Sequence, residues 1–153
     1  MRPSFDDTFV ATAKVWSQRS TCPKLHVGVV IADTHNRVVS VGYNGAPHGL
    51  PHCEDVGCDE EDGHCTRAVH ADINAILNAP DKSLLQGGIM YIYGGTPCYR
   101  CAQAIISVGI VRVIAVKDPL VRYDDSVGWK KLLALAAVPL FVWAEDRDST
   151  FCP

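Results

Sequence analysis

The sequence predicts an α/β domain in which helices cover both faces of one sheet. Short apolar segments with strand character alternate with segments whose apolar residues follow helical spacing, and this alternation is typical of a layered α/β fold. The 153 residues are 48% hydrophobic and 20% charged, a composition typical of a globular domain. A chain of this length can bury a substantial core, so we expect residues 1–153 to form a single domain.

Apolar spacing and breaking residues set the expected elements. Ser4 is a candidate N-cap for the first helix, with Asp6 and Asp7 in its first turn. The predicted helices cover residues 5–18, 68–79, 98–108 and 129–137. The predicted strands cover residues 27–32, 38–43, 88–93, 111–116 and 139–144. Residues 44–65 show no periodicity, and so long a segment inside a compact domain indicates a functional role or organisation by a metal.

Charge and hydropathy disfavour two classes of protein. The formal net charge is -3, so the chain gains little from general attraction to a polynucleotide, whereas a mononucleotide needs only one local basic site. Residues 1–7 contain no apolar signal core, and no apolar run reaches transmembrane length. We therefore expect a cytoplasmic protein that does not enter a membrane.

The cysteines indicate a metal site. Seven cysteines interleaved with histidines, in a chain without a signal, are more often metal ligands than disulfides. Cys98 and Cys101 form a Cys-x-x-Cys at a helix start, where the helix N-terminus favours thiolates. His70 opens a facing helix and would be the third ligand, leaving the fourth tetrahedral position open as in catalytic zinc. A redox pair is the alternative interpretation of Cys98 and Cys101, but the preceding Pro97 and the acid that follows His70 favour zinc.

Several segments resemble the deoxycytidylate deaminase family, within the zinc-dependent cytidine deaminase superfamily. The superfamily pattern is His-x-Glu followed by Pro-Cys-x-x-Cys. The matching segments are Arg19–Pro23, Val27–Ile31, Gly42–Pro47, His64–Ala71 and Thr96–Ala102. The resemblance implies a three-layer α/β/α sandwich around a mixed five-stranded sheet, and hydrolysis of dCMP to dUMP and ammonia. It also implies a homo-oligomer, such as a hexamer, with dCTP and dTTP as candidate effectors.

Asp72 departs from the family pattern, which has Glu two residues after the zinc-binding histidine. That carboxylate moves protons between water, the ring nitrogen and the departing amine. Asp is shorter by one methylene, on the order of 1 Å of reach, and misplacement of that size costs roughly a hundredfold in rate. Four interpretations stay open: a pocket in which Asp72 works, a pocket reshaped for a C5-modified cytosine nucleotide, a position changed to slow turnover, and a nucleotide-binding relative that has lost catalysis.

The substrate contacts come from the resemblance. Asn44 would contact the nucleotide sugar or phosphate, the backbone of Ala71 would read the pyrimidine edge, and Tyr123 would pack against the base or sugar. Thr96 is the fourth expected substrate contact. A turn asparagine and a core-filling tyrosine are the alternative interpretations of Asn44 and Tyr123. The candidates for the cation that binds the phosphate are Arg19, Lys24, Arg100 and Arg122.

A second metal is expected in or beside residues 44–65. Metal binding there would offset the entropy of ordering a segment with few apolar residues. Cys22, Cys53 and His64 match positions that some family members use for a structural zinc. Ala68 stands where those relatives have an acidic ligand, so Cys58 or Cys65 would be the fourth ligand. Free buried thiols are the alternative, and Cys152 is expected to carry no metal.

Other functions stay open beside dCMP deamination. Within enzymes, the alternatives are deaminases of a free base, a nucleoside or a C5-modified nucleotide. From other classes, they are a catalytically silent protein that senses dCTP or dTTP, and a purely structural zinc module. Polynucleotide editing also occurs on this fold, but the chain shows no basic patch or aromatic-rich strand platform.

Overall fold

A mixed five-stranded sheet forms the centre of the protein. The computed structural model describes residues 1–62, 64–118 and 128–143. The sheet strands are β1 (Gly28–Ala32), β2 (Val38–Tyr43), β5 (Ile89–Tyr93), β6 (Arg112–Val116) and β7 (Leu140–Trp143). Their order is β2-β1-β5-β6-β7, so β2 lies at one edge. Strand β1 is antiparallel to β2 and β5, whereas β5, β6 and β7 are mutually parallel.

Helices cover both faces of this sheet, as predicted. They are α1 (Phe5–Ser17), α3 (Ala71–Asn78), α4 (Tyr99–Ser107) and α5 (Gly128–Leu135). Because successive strand side chains point to opposite faces, the sheet contributes residues to two hydrophobic cores, one on each face. Val29, Met90 and Val113 face α3, α4 and α5, whereas Val30 and Tyr91 face α1. The predicted three-layer α/β/α sandwich with a mixed five-stranded sheet is confirmed.

The N-terminal helix begins where the sequence predicts, because a capping box closes its first turn. Ser4 Oγ accepts a hydrogen bond from the Asp7 backbone N–H at 3.1 Å, and the Asp7 carboxylate accepts from the Ser4 N–H at 3.2 Å. These bonds satisfy two backbone donors that the helix itself leaves free. Asp6, one residue earlier, reaches across the sheet and accepts hydrogen bonds from Tyr91 Oη at 2.7 Å and from Arg112 at 3.0 Å.

Helix α3 begins three residues later than the expected residue 68. Val69 forms a two-way backbone bridge with Gly45, at 2.9 and 3.2 Å, and this extended pairing excludes Val69 from the helix. His70 is consequently the N-cap of α3, with extended backbone angles. The preceding bridge therefore fixes the backbone on which the predicted metal ligand is carried.

The irregular segment 44–65 contains short elements that its sequence did not predict. Helix α2 (Cys53–Val56) is a single turn, and β3 (Glu60–Glu61) pairs with β4 (His64–Cys65) as a small hairpin. A 3₁₀ turn at Lys82–Leu85 was also not predicted. Among the described residues, no helix combines the length and the apolar composition that crossing a bilayer requires.

Candidate active site and a second cysteine cluster

His70, Cys98 and Cys101 meet where the N-termini of α3 and α4 come together. His70 caps α3 and Cys98 caps α4, so both leave the helix starts toward the same point. The Cys98 and Cys101 sulfurs are 3.5 Å apart, and His70 Nδ1 lies 3.5 Å from the first and 3.4 Å from the second. His70 is exposed, Cys98 half-buried and Cys101 buried, so the cluster is accessible from the His70 side.

These distances fit a zinc ion held by the three side chains. Tetrahedral ligands at about 2.3 Å for sulfur and about 2.0–2.1 Å for nitrogen lie about 3.8 Å apart when both are sulfurs and about 3.6 Å apart for sulfur and nitrogen. The three observed separations, 3.4–3.5 Å, are within a few tenths of an ångström of these values. Two thiolates and one imidazole leave one tetrahedral position open, which is the arrangement of catalytic zinc.

The electrostatics of the cluster favour a thiolate before any metal arrives. The hydrogen bond from Cys101 is the largest influence on Cys98 and, with a further bond from His70, lowers its pKa to about 3 although burial opposes this. The same Cys98 sulfur raises the pKa of His70. The Cys101 backbone N–H also points at Cys98 Sγ, at 3.5 Å, as expected at a helix N-terminus. Zinc requires deprotonated sulfur, so this preference lowers the cost of binding it.

Asp72 lies one residue inside α3 and is buried beside these ligands. Its exposed fraction is 4%, its carboxyl group lies close enough to the Cys101 thiol for each to shift the pKa of the other, and its Oδ1 atom has no hydrogen-bond partner among the described residues. Burial raises the pKa of Asp72, and the His70 charge opposes this. An unsatisfied carboxylate oxygen in such a place costs free energy unless a ligand or water completes it. One oxygen of a group that can carry a proton is thus left available beside the predicted metal site.

Comparison with known proteins agrees with this geometry. Residues 3–117 match the family model described as the cytidine and deoxycytidylate deaminase zinc-binding region. The deoxycytidylate deaminase of Mycobacterium phage D29 is 36% identical over 76% of this chain and 98% of its own length. The ComE operon protein 2 of Bacillus subtilis is 38% identical over 76% of this chain and 61% of its own length.

The chain belongs to the cytidine and deoxycytidylate deaminase family. A solved structure of the dCMP deaminase from cyanophage S-TIM5, in complex with dCMP and dUMP, aligns with a TM-score of 0.74, covering 94% of this chain and 99% of that one. At 23% identity, that likeness shows the shared fold. In three curated relatives, the ComE operon protein among them, the matched region spans between 38% and 61% of the relative's length.

This family member carries a second group of thiols within one short segment. Cys53, Cys58 and Cys65 place their sulfurs within 4.8 Å of one another, and the Cys53 and Cys65 sulfurs are 3.6 Å apart. Burial raises the pKa of Cys53 to about 12. Burial also acts to raise the pKa of Cys65, but bonds from the backbone of Ala68 and Arg67 and from the Cys53 thiol outweigh it and lower that pKa to about 7.

Two residues expected at the second metal do not join this group. Neither Cys22 nor His64 belongs to a set of three or more potential ligand atoms within 4.8 Å in the described part of the chain. In the hairpin, Cys65 is opposite Glu60 and His64 is opposite Glu61. Because neighbouring strand residues point to opposite sides, the strand that directs Cys65 toward Cys53 turns the exposed His64 away. Cys22 is buried, with its backbone N–H bonded to Ser20 Oγ at 3.2 Å.

The residues expected to contact the substrate differ in burial and in how many of their hydrogen-bonding groups are still available. Asn44 is buried, and its side chain accepts from the Val27 N–H at 2.9 Å and donates to the Leu25 carbonyl at 2.7 Å, which leaves one amide hydrogen. Ala71 is the first residue of α3, where a backbone N–H has no acceptor within the helix. Thr96 is half-buried in the loop before Cys98. Tyr123 lies outside the described residues.

The candidate cations for the phosphate are also placed differently. Lys24 forms an ion pair with Glu60, in the hairpin that carries Cys65. Arg19 and Arg100 are exposed. Arg100 is close enough to His70 to oppose its protonation. Arg122 and Cys152 lie outside the described residues.

Sequence reasoning passed over Arg67 and Asn74, which the structure places next to the two clusters. Arg67 bonds Asp59 at 3.0 Å while its Nε atom is buried with no partner among the described residues. Asn74 donates from its side chain to the Tyr43 carbonyl at 2.8 Å. The available signal for Asn74 was weak, because asparagine disfavours helix interiors and its presence inside a predicted helix suggests a specific bond.

Proposed function

We propose that this protein hydrolyses dCMP to dUMP and ammonia, with His70, Cys98 and Cys101 holding the zinc and Asp72 moving the protons. One observation carries the proposal: a buried carboxyl group with a free oxygen stands beside three ligands that leave the fourth metal position open. A structural zinc site would be closed by a fourth protein ligand and would not require a buried acid. Family membership supports the same activity.

Zinc, when bound, supplies a Lewis acid that lowers the pKa of water to about 7 and so provides a nucleophile at neutral pH. The protein's own part is proton transfer. The Asp72 carboxylate accepts a proton from the attacking water and delivers one to ring atom N3 of cytosine. It then assists the departing amine at C4, so that one water is consumed and one ammonia is released. Burial keeps bulk water away from this carboxyl group.

The substrate contacts remain predictions that build on this site. The remaining amide hydrogen of Asn44 is suited to donate a hydrogen bond to a sugar or phosphate oxygen. The N–H of Ala71 and the side chain of Thr96 are expected to contact the base, and Tyr123 keeps its expected place against the base or sugar. Arg100 is the described cation candidate near His70, whereas the ion pair with Glu60 disfavours Lys24 as the phosphate ligand.

The test is ammonia release from dCMP by zinc-loaded protein, measured for the parent, Asp72→Ala and Asp72→Glu. We expect turnover by the parent, and a loss of roughly 10²–10⁴-fold in Asp72→Ala with zinc still bound, because general acid–base catalysis contributes on that scale. Turnover by Asp72→Ala at the parental rate would remove Asp72 from the mechanism.

The same assay separates the alternatives. Activity of Asp72→Glu with a silent parent would mean that the fold and substrate are right but this chain is disabled at the proton step. Silence of both would contradict dCMP as the substrate. Cytidine, cytosine and 5-methyl-dCMP would then be assayed, and nucleotide binding without ammonia release would favour the silent nucleotide-binding alternative.

A structural zinc at Cys53, Cys58 and Cys65 is the second part of the proposal, and the fourth ligand that would close it is not among the residues that the described part of the chain brings to this group. The three sulfurs lie within 4.8 Å, and one of them already has a pKa near 7. The segment that carries them is tied toward the active site, because the Glu54 N–H bonds the Thr21 carbonyl and the Thr21 N–H bonds the Asn44 carbonyl. A metal here would hold the segment in place and, through Thr21, the backbone of Asn44.

Three wider expectations also remain predictions. Association into a homo-oligomer such as a hexamer, regulation by dCTP or dTTP, and a cytoplasmic location rest on the family resemblance and the sequence. Polynucleotide substrates stay disfavoured by the net charge of -3.

A further inference from the structure

The carboxylate of Asp72 depends on the position of its helix more than a glutamate would. One methylene separates the carboxyl group of Asp from Cα, so rotation of the side chain can compensate little for a shift of the backbone. Catalytic groups lose about a hundredfold in rate for about 1 Å of misplacement. Whatever fixes the first turn of α3 against the rest of the protein therefore sets the place of the proton carrier.

Edge strand β2 holds α3 through side-chain amides. Asn74 donates to the Tyr43 carbonyl at 2.8 Å, and Asn78 donates to the Val41 carbonyl at 3.0 Å. Four residues of helix rise about 6 Å and two residues of strand about 6.6 Å, so the two spacings match. Tyr43 and Val41 lie on the outer edge of the sheet, where the described residues provide no neighbouring strand for the strand carbonyls to bond. The two asparagines thus replace part of the missing neighbour.

The approach between α3 and β2 is close enough that their backbones touch. A Cβ atom on Gly42 would stand 2.4 Å from the Ala75 nitrogen and 2.5 Å from the Ala71 carbonyl oxygen, distances that real atoms do not adopt. Ser40 adds a buried bond from its Oγ to the Ala75 carbonyl, at 2.7 Å. The close approach therefore fixes the distance between α3 and β2, and the Ser40 bond and the two amide bonds define the register along it.

Asp72 lies between two residues, Val69 and Asn74, that are both hydrogen-bonded to residues 43–45. Three residues before it, Val69 forms the backbone bridge to Gly45, and two residues after it, Asn74 bonds Tyr43. The bridge at Val69 lies directly before His70 and holds the ligand backbone without help from the Asn74 side chain. The Asn74 bond lies beyond Asp72 and holds the first turn of the helix. Loss of the Asn74 bond should therefore disturb Asp72 more than His70.

We propose that Asn74 is a positioning residue for the reaction, which sets the depth at which α3 presents the Asp72 carboxylate to the metal centre. This inference rests on the proposed deamination for its kinetic readout. Asn78 makes the same bond to the same strand edge but lies at the far end of α3, so it serves stability without setting the place of Asp72.

The test compares Asn74→Ala with the matched control Asn78→Ala. Each variant removes one amide donor to β2, adds no charge and places the best helix former in the helix. We expect Asn74→Ala to lower kcat by about tenfold or more with KM and zinc content unchanged, given the cost of misplacing a catalytic group. Asn78→Ala should keep kcat within about twofold and should lose less thermal stability than Asn74→Ala, since its bond to β2 is exposed whereas the Asn74 bond is part-buried. Equal losses of kcat in both variants would overturn the proposal.

Two further measurements extend the test, and the second of them keeps the inference apart from the proposed function. Adding Asp72→Glu to Asn74→Ala should raise kcat above that of Asn74→Ala alone, because the longer side chain recovers reach. Crystal structures of the zinc-loaded proteins should show the Asp72 carboxyl group displaced by about 0.5 Å or more in Asn74→Ala, a shift that matters catalytically, and not in Asn78→Ala. This structural readout does not depend on dCMP being the substrate. An unmoved carboxyl group would overturn the proposal even in an active enzyme.

Discussion

The two thiol clusters use the same chemistry in different surroundings. Cys98 and Cys101 are joined by His70 from 28 and 31 residues away, and the histidine end of that cluster is exposed. Cys53, Cys58 and Cys65 come from one short segment, with Cys53 buried and the other two half-buried. Only the first cluster has Asp72 buried beside it, among the residues that the structure describes. The comparison indicates that a buried acid beside the ligands, rather than the number of sulfurs, distinguishes the cluster where we expect catalysis from the cluster where we expect a structural metal.

The largest expected effect comes from removing one ligand from each cluster. Cys98→Ala should lose one zinc per chain and reduce ammonia release by more than about 10²–10³-fold, the range for removing a single charge-stabilising group from an active site. Cys58→Ala should also lose one zinc but lose much less turnover per catalytic zinc, because its segment is connected to the site only indirectly, through Thr21 and the Asn44 backbone. Zinc per chain and ammonia release, measured on the same samples, check both. A loss of turnover in Cys58→Ala as large as that in Cys98→Ala, with the catalytic zinc still bound, would break the comparison.

A smaller effect should distinguish two ligand sets for the second metal. The family resemblance predicts that His64 is a ligand, whereas the hairpin favours Cys65 and turns His64 away. Cys65→Ala is expected to lose the second zinc and to raise amide hydrogen exchange across residues 53–65 by tenfold or more, about 1.4 kcal/mol of local stability. His64→Ala is the matched control on the opposite side of the same strand and should change neither quantity. Loss of the metal in His64→Ala would instead favour the ligand set expected from the resemblance, in which His64 is joined by Cys58 or Cys65.

The smallest effect is expected on the far face of the sheet, where Tyr91 bonds Asp6. Tyr91→Phe should lower the free energy of unfolding by about 0.5–1.5 kcal/mol, the net worth of one hydrogen bond, with turnover unchanged. Burial and, next, the bond to Asp6 raise the pKa of Tyr91, so the folded protein keeps this proton at higher pH than the unfolded chain. Its stabilisation is complete below about pH 10 and falls as the pH rises further.

Unfolding of the parent and of Tyr91→Phe, followed between pH 8 and pH 11, measures this contribution, and about pH 10 is the point from which the difference between them should decrease. The difference between the two proteins should shrink at alkaline pH. A difference that grew with pH would show that Tyr91 is not held protonated by its surroundings. A change in turnover would show that this face of the sheet communicates with the active site.

The sheet, its helices and the predicted zinc ligands were accessible to sequence reasoning because each depends on local pattern. Residues 38–43 were predicted as a strand with the bounds observed, since alternation and breakers define them. The start of α3 was predicted three residues early, because the bridge between Val69 and Gly45 is a long-range contact that periodicity does not record. The short hairpin of Glu60–Glu61 and His64–Cys65 was missed for a similar reason, as two-residue strands carry no period.

Site residues that act through tertiary contacts were the hardest to predict. Asn44 was assigned to the nucleotide from its motif, yet one amide hydrogen and the oxygen of its side chain already bond Leu25 and Val27. No local sequence pattern indicates that the Asn74 amide bonds an edge strand, because its partner Tyr43 lies 31 residues earlier in the chain. Burial of Asp72 follows from the packing of α3 on β2, and that packing requires the glycine at position 42.

The asparagine bonds along β2 also constrain how copies of this chain can associate. A second sheet that added to this edge would need the Val41 and Tyr43 carbonyls as acceptors, and both already accept from α3. Helix α3 would block an incoming strand on this side as well, since it lies in backbone contact with Gly42. An assembly built from this protein therefore has to be joined through helix faces, loops or the opposite edge, and not by continuing its sheet at β2.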